Sequence, residues 1–82
     1  MRVLVTGLGG FLGGEIGRLL LLQEAQLRTL SRRPLPEWEA RGVEVLSGAL
    51  EDPRSVAKAC RDQQVVFHVA ARAGVWGSFS DY

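Results

Sequence analysis

Gly7, Gly10 and Gly13 stand three residues apart in "TGLGGFLG", directly after the apolar run "RVLVT". Six glycines crowd the interval from Gly7 to Gly17. Glycine gives up more chain freedom on folding than any other residue, so this density needs a reason. A bare strand-to-helix turn supplies one. It bends tightly, lets a diphosphate approach main chain, and brings the helix close to the sheet. The unpaired N–H groups and positive dipole end of the helix then face the anion. Gly7, Gly10 and Gly13, with Phe11 and Leu12 in the first helical turn, are therefore the candidate cofactor-binding residues of this segment. Gly17 falls inside the helix, where it costs about 1 kcal/mol relative to alanine, and close helix packing is the expected compensation.

The elements needed to position such a turn can be read along the chain. "RVLVT" is a short buried strand. "FLGGEIGRLLLLQ" is a helix with Phe11, Leu12, Ile16, Leu19 and Leu20 on one face. "AQLRTLS" (25–31) is a second strand. "PLPEWEARG" reads as a short helix between its prolines and Gly42. "VEVLSG" (43–48) is a third strand, and "EDPRSVAKACRD" is a helix capped by Asp52 with Pro53 at its first position. Val56, Ala59 and Cys60 form its buried stripe. "VVFHVAA" (65–71) is a fourth strand, and "RAGVWGSFSDY" is read as loop. Continuous rather than alternating strand hydrophobicity means that both sheet faces are covered. The βαβαβαβ order thus predicts an α/β fold with a parallel sheet, right-handed crossovers and flanking helices. The glycine turn after its first strand marks this as the N-terminal half of a Rossmann NAD(P)-binding domain, a fold whose strand order is 3-2-1-4. The whole chain, residues 1–82, is expected to be part of one such domain.

In that fold the end of the second strand selects the cofactor. An acid there binds the ribose hydroxyls of NAD, whereas an arginine suits the 2′-phosphate of NADP. Here the strand ends in "LSRR". Ser31 and Arg32 therefore favour NADP over NAD, since a guanidinium can bind phosphate with two parallel hydrogen bonds. Arg33, beside Pro34, is the better candidate for a solvated charge.

"TGLGGFLG" resembles the T-G-x-x-G-x-x-G fingerprint of the extended short-chain dehydrogenase/reductase family, and "VVFHVAA" resembles its fourth-strand motif. Within the NAD-dependent epimerase/dehydratase group, "VFHVAARAGVWGSFSDY" is most similar to the branch of 3β-hydroxysteroid dehydrogenases, sterol-ring dehydrogenases and 3-oxoalkanoate reductases. The resemblance implies that Val69, Ala70 and Ala71 line the cofactor where the strand order reverses. It also implies that Leu50 packs near the adenine ring. Many family members place an Asp before that Leu; this chain has Ala49, so one adenine hydrogen bond is in doubt. Glu51 is one substitute, and Asp52 is better explained as the helix cap. His68 is read as a hydrogen-bonded core residue rather than a catalytic one. Arg72 suits a phosphate or solvent equally. Trp76 and Phe79 suit an apolar substrate wall or packing against other segments.

The family's chemistry needs a Tyr-x-x-x-Lys pair, which lets a phenol exchange a proton with the substrate oxygen. Tyr82 is the only tyrosine and Lys58 the only lysine, so no catalytic residue is assigned here, and no metal-ligand set is seen. Strand order 3-2-1-4 would also leave "VVFHVA" as an open apolar edge. The expectation is the N-terminal portion of a longer enzyme, by itself poorly stable and inactive, whose parent could be a homodimer. Composition agrees with a globular domain: 46% hydrophobic, 23% charged and a formal net charge of +1 over 82 residues. That balance gives no basic face for nucleic acid. No segment nears the length of a membrane span. A lone Cys60 and the lack of a signal peptide point to the cytoplasm. The expected function is cofactor binding for an NADP(H)-dependent oxidoreductase acting on a small-molecule secondary alcohol or ketone, sterol-like or lipid-like. The alternatives are a nucleotide-sugar epimerase or dehydratase with bound NAD, and a nonenzymatic NADP-sensing module.

Overall fold

A computed structural model describes residues 1–69 and the strand 75–79. Its elements are β1 (Arg2–Val5), α1 (Phe11–Leu22), β2 (Gln26–Ser31), α2 (Pro36–Glu39), β3 (Glu44–Ser47), α3 (Pro53–Cys60), β4 (Val65–Val69) and β5 (Val75–Phe79). The sheet order is β3-β2-β1-β4-β5. The first four strands are mutually parallel, with Val3 opposite Leu27 and Val65, and Leu30 opposite Leu46. The chain is thus the α/β unit with strand order 3-2-1-4 expected of a Rossmann half.

Both faces of the sheet are buried, as the continuous apolar strands require. On one face Val3, Val5, Leu27 and Val69 pack with Leu8, Trp38 and Val43 beneath α1 and α2. On the other, Leu4 and Leu30 pack against Ala59 of α3, flanked by Val56 and Cys60. The expected stripe of α3 is therefore the one it buries. Asp52 caps this helix: its carboxylate accepts from the Arg54 N–H at 3.1 Å and from the Ser55 hydroxyl at 2.9 Å, and Pro53 follows at the first position.

Two expectations need correction. The buried face of α1 keeps only Ile16 and Leu20 of the five residues expected on it. Gly13 and Gly17 are buried, with Ile16, Leu20 and Leu21 against the core, while Phe11 is 86% exposed and Leu19 60%. The reason is close approach. A Cβ at Gly17 would lie 2.5 Å from Leu8 and 3.1 Å from Trp38, so the small residues turn inward, Ile16, Leu20 and Leu21 flank them, and Phe11, Leu12 and Leu19 rotate out. The short helix expected between the prolines and Gly42 is present as the single turn α2, with Gly42 beyond it at φ +91°. Finally, the segment read as loop contains β5, antiparallel to β4, with Phe67 opposite Ser78 and Val69 opposite Val75. The far edge of β4 is therefore paired rather than open. Among the described residues no helix is long and apolar enough to cross a membrane.

Candidate functional site

The four parallel strands end on one edge of the sheet, and the chain reverses its winding between β1 and β4. In open α/β sheets ligands bind in the crevice at that point. The loop from β1 to α1 forms its floor. Gly7 has φ +74°, a left-handed conformation that favours glycine. A Cβ there would lie 2.6 Å from the Val69 carbonyl oxygen at the end of β4. The Gly10 N–H donates to the Gly7 carbonyl at 3.0 Å, closing the turn. A Cβ on Gly13 would fall 2.0 Å from that same oxygen. The first and last glycines of the motif therefore touch, and a side chain at Gly13 could be taken only if the turn or the helix moved.

This contact sets the start of α1 directly over the turn. Gly10 caps the helix without any side-chain hydrogen bond, and its first turn carries no acid. The first intrahelical bond runs from the Gly14 N–H to the Gly10 carbonyl. The N–H groups of Phe11, Leu12 and Gly13 thus lack an intrahelical partner, as at any helix start. Gly9, Gly10, Phe11 and Leu12 are all exposed. The result is a cradle of main-chain donors at the positive end of a helix dipole, with no side chain filling it. Its chemistry suits a diphosphate. Beside it, Leu8, Gly10, Phe11, Leu35, Trp38 and Arg41 line a groove of about 280 Å³.

The other predicted residues gather on the same edge. Ser31 ends β2, and its hydroxyl is engaged within its own turn: it accepts from the Arg33 N–H at 3.1 Å and donates to the Arg33 carbonyl at 2.7 Å. Arg32 is exposed and reaches across to the next loop, where its guanidinium donates to Glu51 at 2.6 Å. A backbone hydrogen bond to Glu51, then Arg32 beside it, holds this carboxyl below the usual carboxylate range. Glu51 is thus committed to Arg32, and Asp52 to the cap. Leu50, in the same loop, is 45% exposed. Val69 is buried at the end of β4, against Gly7. Ala70, Ala71 and Arg72 lie outside the described residues, as do the side chains of Trp76 and Phe79.

His68 is tied into the fold. Its Nδ1 lies 2.9 Å from the hydroxyl of Thr6, which also accepts from the Val69 N–H at 3.1 Å. Thr6 is 4% exposed and so fixes the end of β4 to the end of β1. In the sequence Thr6 stands only as part of the glycine fingerprint. Its partners are 62 and 63 residues away, so only the pairing of β1 with β4 reveals its role. The Arg32–Glu51 pair, joined across 19 residues, was equally hidden.

Comparison with known proteins agrees with this geometry. A family model described as the NAD dependent epimerase/dehydratase family matches residues 3–82. A 2-alkyl-3-oxoalkanoate reductase of Stenotrophomonas maltophilia is 42% identical over 82 residues, all of this chain and 25% of the relative. The chain thus spans about a quarter of that protein's length. The crystal structure of gox2253 superposes with a TM-score of 0.76 at 32% identity, over 92% of this chain and 23% of that one. A short-chain dehydrogenase/reductase superfamily protein from Agrobacterium tumefaciens, solved with bound NAD, has a TM-score of 0.71 at 28% identity, over 94% of this chain and 22% of that one. By its fold, its glycine cradle and the family match over nearly its whole length, the chain belongs to the NAD dependent epimerase/dehydratase family.

Proposed function

We propose that this chain is the cofactor-binding portion of a longer oxidoreductase that moves hydride between NADP(H) and a secondary alcohol or ketone on a lipid-like substrate. The observation that carries the reading is the Gly7–Gly13 contact, which opens a side-chain-free cradle beneath the unpaired N–H groups of α1. The amides of Phe11, Leu12 and Gly13 would hold the diphosphate. Leu50 would cover one face of the adenine, Ser31 and Arg32 would face the adenosine ribose, and Val69 with Ala70 and Ala71 would bring bare backbone to the other half of the dinucleotide. When bound, the nicotinamide supplies the hydride, and this chain's residues orient it. Proton transfer to the substrate oxygen would fall to a tyrosine–lysine pair outside these 82 residues. The lipid-like substrate is supported by the oxoalkanoate reductase relative.

NADP is favoured by Arg32 and by the lack of an acid at Ser31, because a carboxylate there would repel a 2′-phosphate. A second reading is a nucleotide-sugar epimerase or dehydratase that retains NAD. It is favoured by the engagement of Arg32 with Glu51 and by the NAD held in the Agrobacterium neighbour. Titrating NADPH and NADH into the full-length protein separates the two. The expected result is NADPH binding tighter by about tenfold or more, the scale of a charge-assisted bidentate contact. Equal or tighter binding of NADH overturns the NADP assignment.

A further inference from the structure

The loop between β3 and α3 holds a charge that the cofactor reading leaves unused. Glu51 is 75% exposed and Arg32 67% at the side chain, yet each is turned toward the other at 2.6 Å. Their positions follow from the sheet. Ser31 pairs with Ser47, so the residue that leaves β2 and the turn that follows β3 stand side by side at the carboxyl edge. Arg33 is also exposed but has no ion-pair partner among the described residues. Asp52 cannot take the place of Glu51, because its two oxygens serve the Arg54 N–H and the Ser55 hydroxyl.

We infer that Glu51 is a specificity-determining residue: it occupies Arg32 in competition with the 2′-phosphate of NADP and so narrows the preference for NADP over NAD. This rests on the proposal that Arg32 meets that phosphate. The physics is a competition for one guanidinium. With NAD bound, the ribose carries no charge and the Arg32–Glu51 pair persists. With NADP, the phosphate must displace the carboxylate or share the fork with it, and two anions then stand close together. An exposed pair is weak and screened, so the phosphate wins, but with a smaller margin than a free arginine would give.

The test is a double-mutant cycle in the full-length protein. Kd values for NADPH and NADH are measured for wild type, Glu51→Gln, Arg32→Gln and the double variant. Glu51→Gln keeps the shape and removes the charge, and both residues are exposed, so the variants should fold. The inference expects Glu51→Gln to lower the Kd for NADPH about two- to fivefold, the size of an exposed ion pair. That gain should vanish in the Arg32→Gln background. An unchanged or raised Kd for NADPH in Glu51→Gln overturns it, as does an equal gain without Arg32. If Arg32→Gln weakens NADPH while Glu51→Gln changes nothing, only this inference fails. If Arg32→Gln leaves wild-type NADPH affinity untouched, the NADP reading fails and takes the inference with it.

Discussion

Gly13 and Gly17 lie one turn apart on α1, both buried, yet the same substitution should act on them differently. At Gly13 a methyl would sit 2.0 Å from the Gly7 carbonyl oxygen and 3.2 Å from the Leu8 Cα. Those neighbours are main chain and can yield only if α1 lifts off the turn. Gly13→Ala should therefore cost at least the roughly 1–3 kcal/mol of an overpacked core and should weaken dinucleotide binding with it. At Gly17 the nearest atom, 2.5 Å away, is a terminal methyl of Leu8, with Trp38 behind it. Alanine gains about 1 kcal/mol of helix propensity there, but Leu8 is 2% exposed and has little room to move. The clash should exceed the gain slightly, for a net loss of about 1 kcal/mol. Cofactor affinity should stay unchanged, because Gly17 lies a full turn below the free amides. Urea unfolding paired with NADPH titration checks both variants, and loss of binding in Gly17→Ala would contradict the division of roles.

Helix α3 shows how an element's two ends can differ in legibility. Its start is local in the sequence, with Asp52 and Pro53 adjacent to the turn they cap, so it could be read directly. Its end is held by a residue far away. Arg28, on β2, donates to the Ala59 carbonyl at 3.0 Å and the Arg61 carbonyl at 2.9 Å while pairing with Glu44 at 2.9 Å. A cation on the last carbonyls of a helix satisfies orphan acceptors and complements the dipole. Arg28→Met should cost about 1–2 kcal/mol, measured as a shift in the urea midpoint at constant slope; an unshifted midpoint would show that solvent serves those carbonyls equally well. The same contrast runs through the molecule. The parallel strands and the glycine turn were legible because they rest on continuous apolar runs and a fixed spacing, and the strand order followed from the fold that turn marks. The buried face of α1 was legible only at Ile16 and Leu20, since helical periodicity weighs leucines and ignores glycines. Strand β5 was hidden by Gly77 and Ser78, which lack strand propensity, and Ser78 gains its pairing from Phe67 of β4. The Arg32–Glu51 pair depends on the register between β2 and β3, which no local pattern encodes.

At the scale of the whole molecule, the sheet separates two cores, and the cradle is built on the edge of one of them. One lies under α1 and α2 and the other under α3. The crevice draws its walls from the ends of β1, β2, β3 and β4 together, with Val69 against Gly7 and Arg32 across from Glu51. A ligand seated there binds only when all four ends are in place, so its binding free energy adds to folding free energy. At a cofactor concentration of about 100 times Kd, this linkage contributes about 2.7 kcal/mol. For a protein of ordinary domain size that raises Tm by roughly 5–10 °C. The full-length protein should therefore melt higher in NADPH. The shift should be smaller in the same concentration of NADH if Arg32 meets the 2′-phosphate. Gly13→Ala should melt lower and show a reduced shift with either nucleotide, whereas Gly17→Ala should melt slightly lower and keep the full shift. Thermal melts at several nucleotide concentrations test this, since linkage requires the shift to grow with the logarithm of free cofactor. A full NADPH shift in Gly13→Ala would mean that the dinucleotide binds away from the glycine turn.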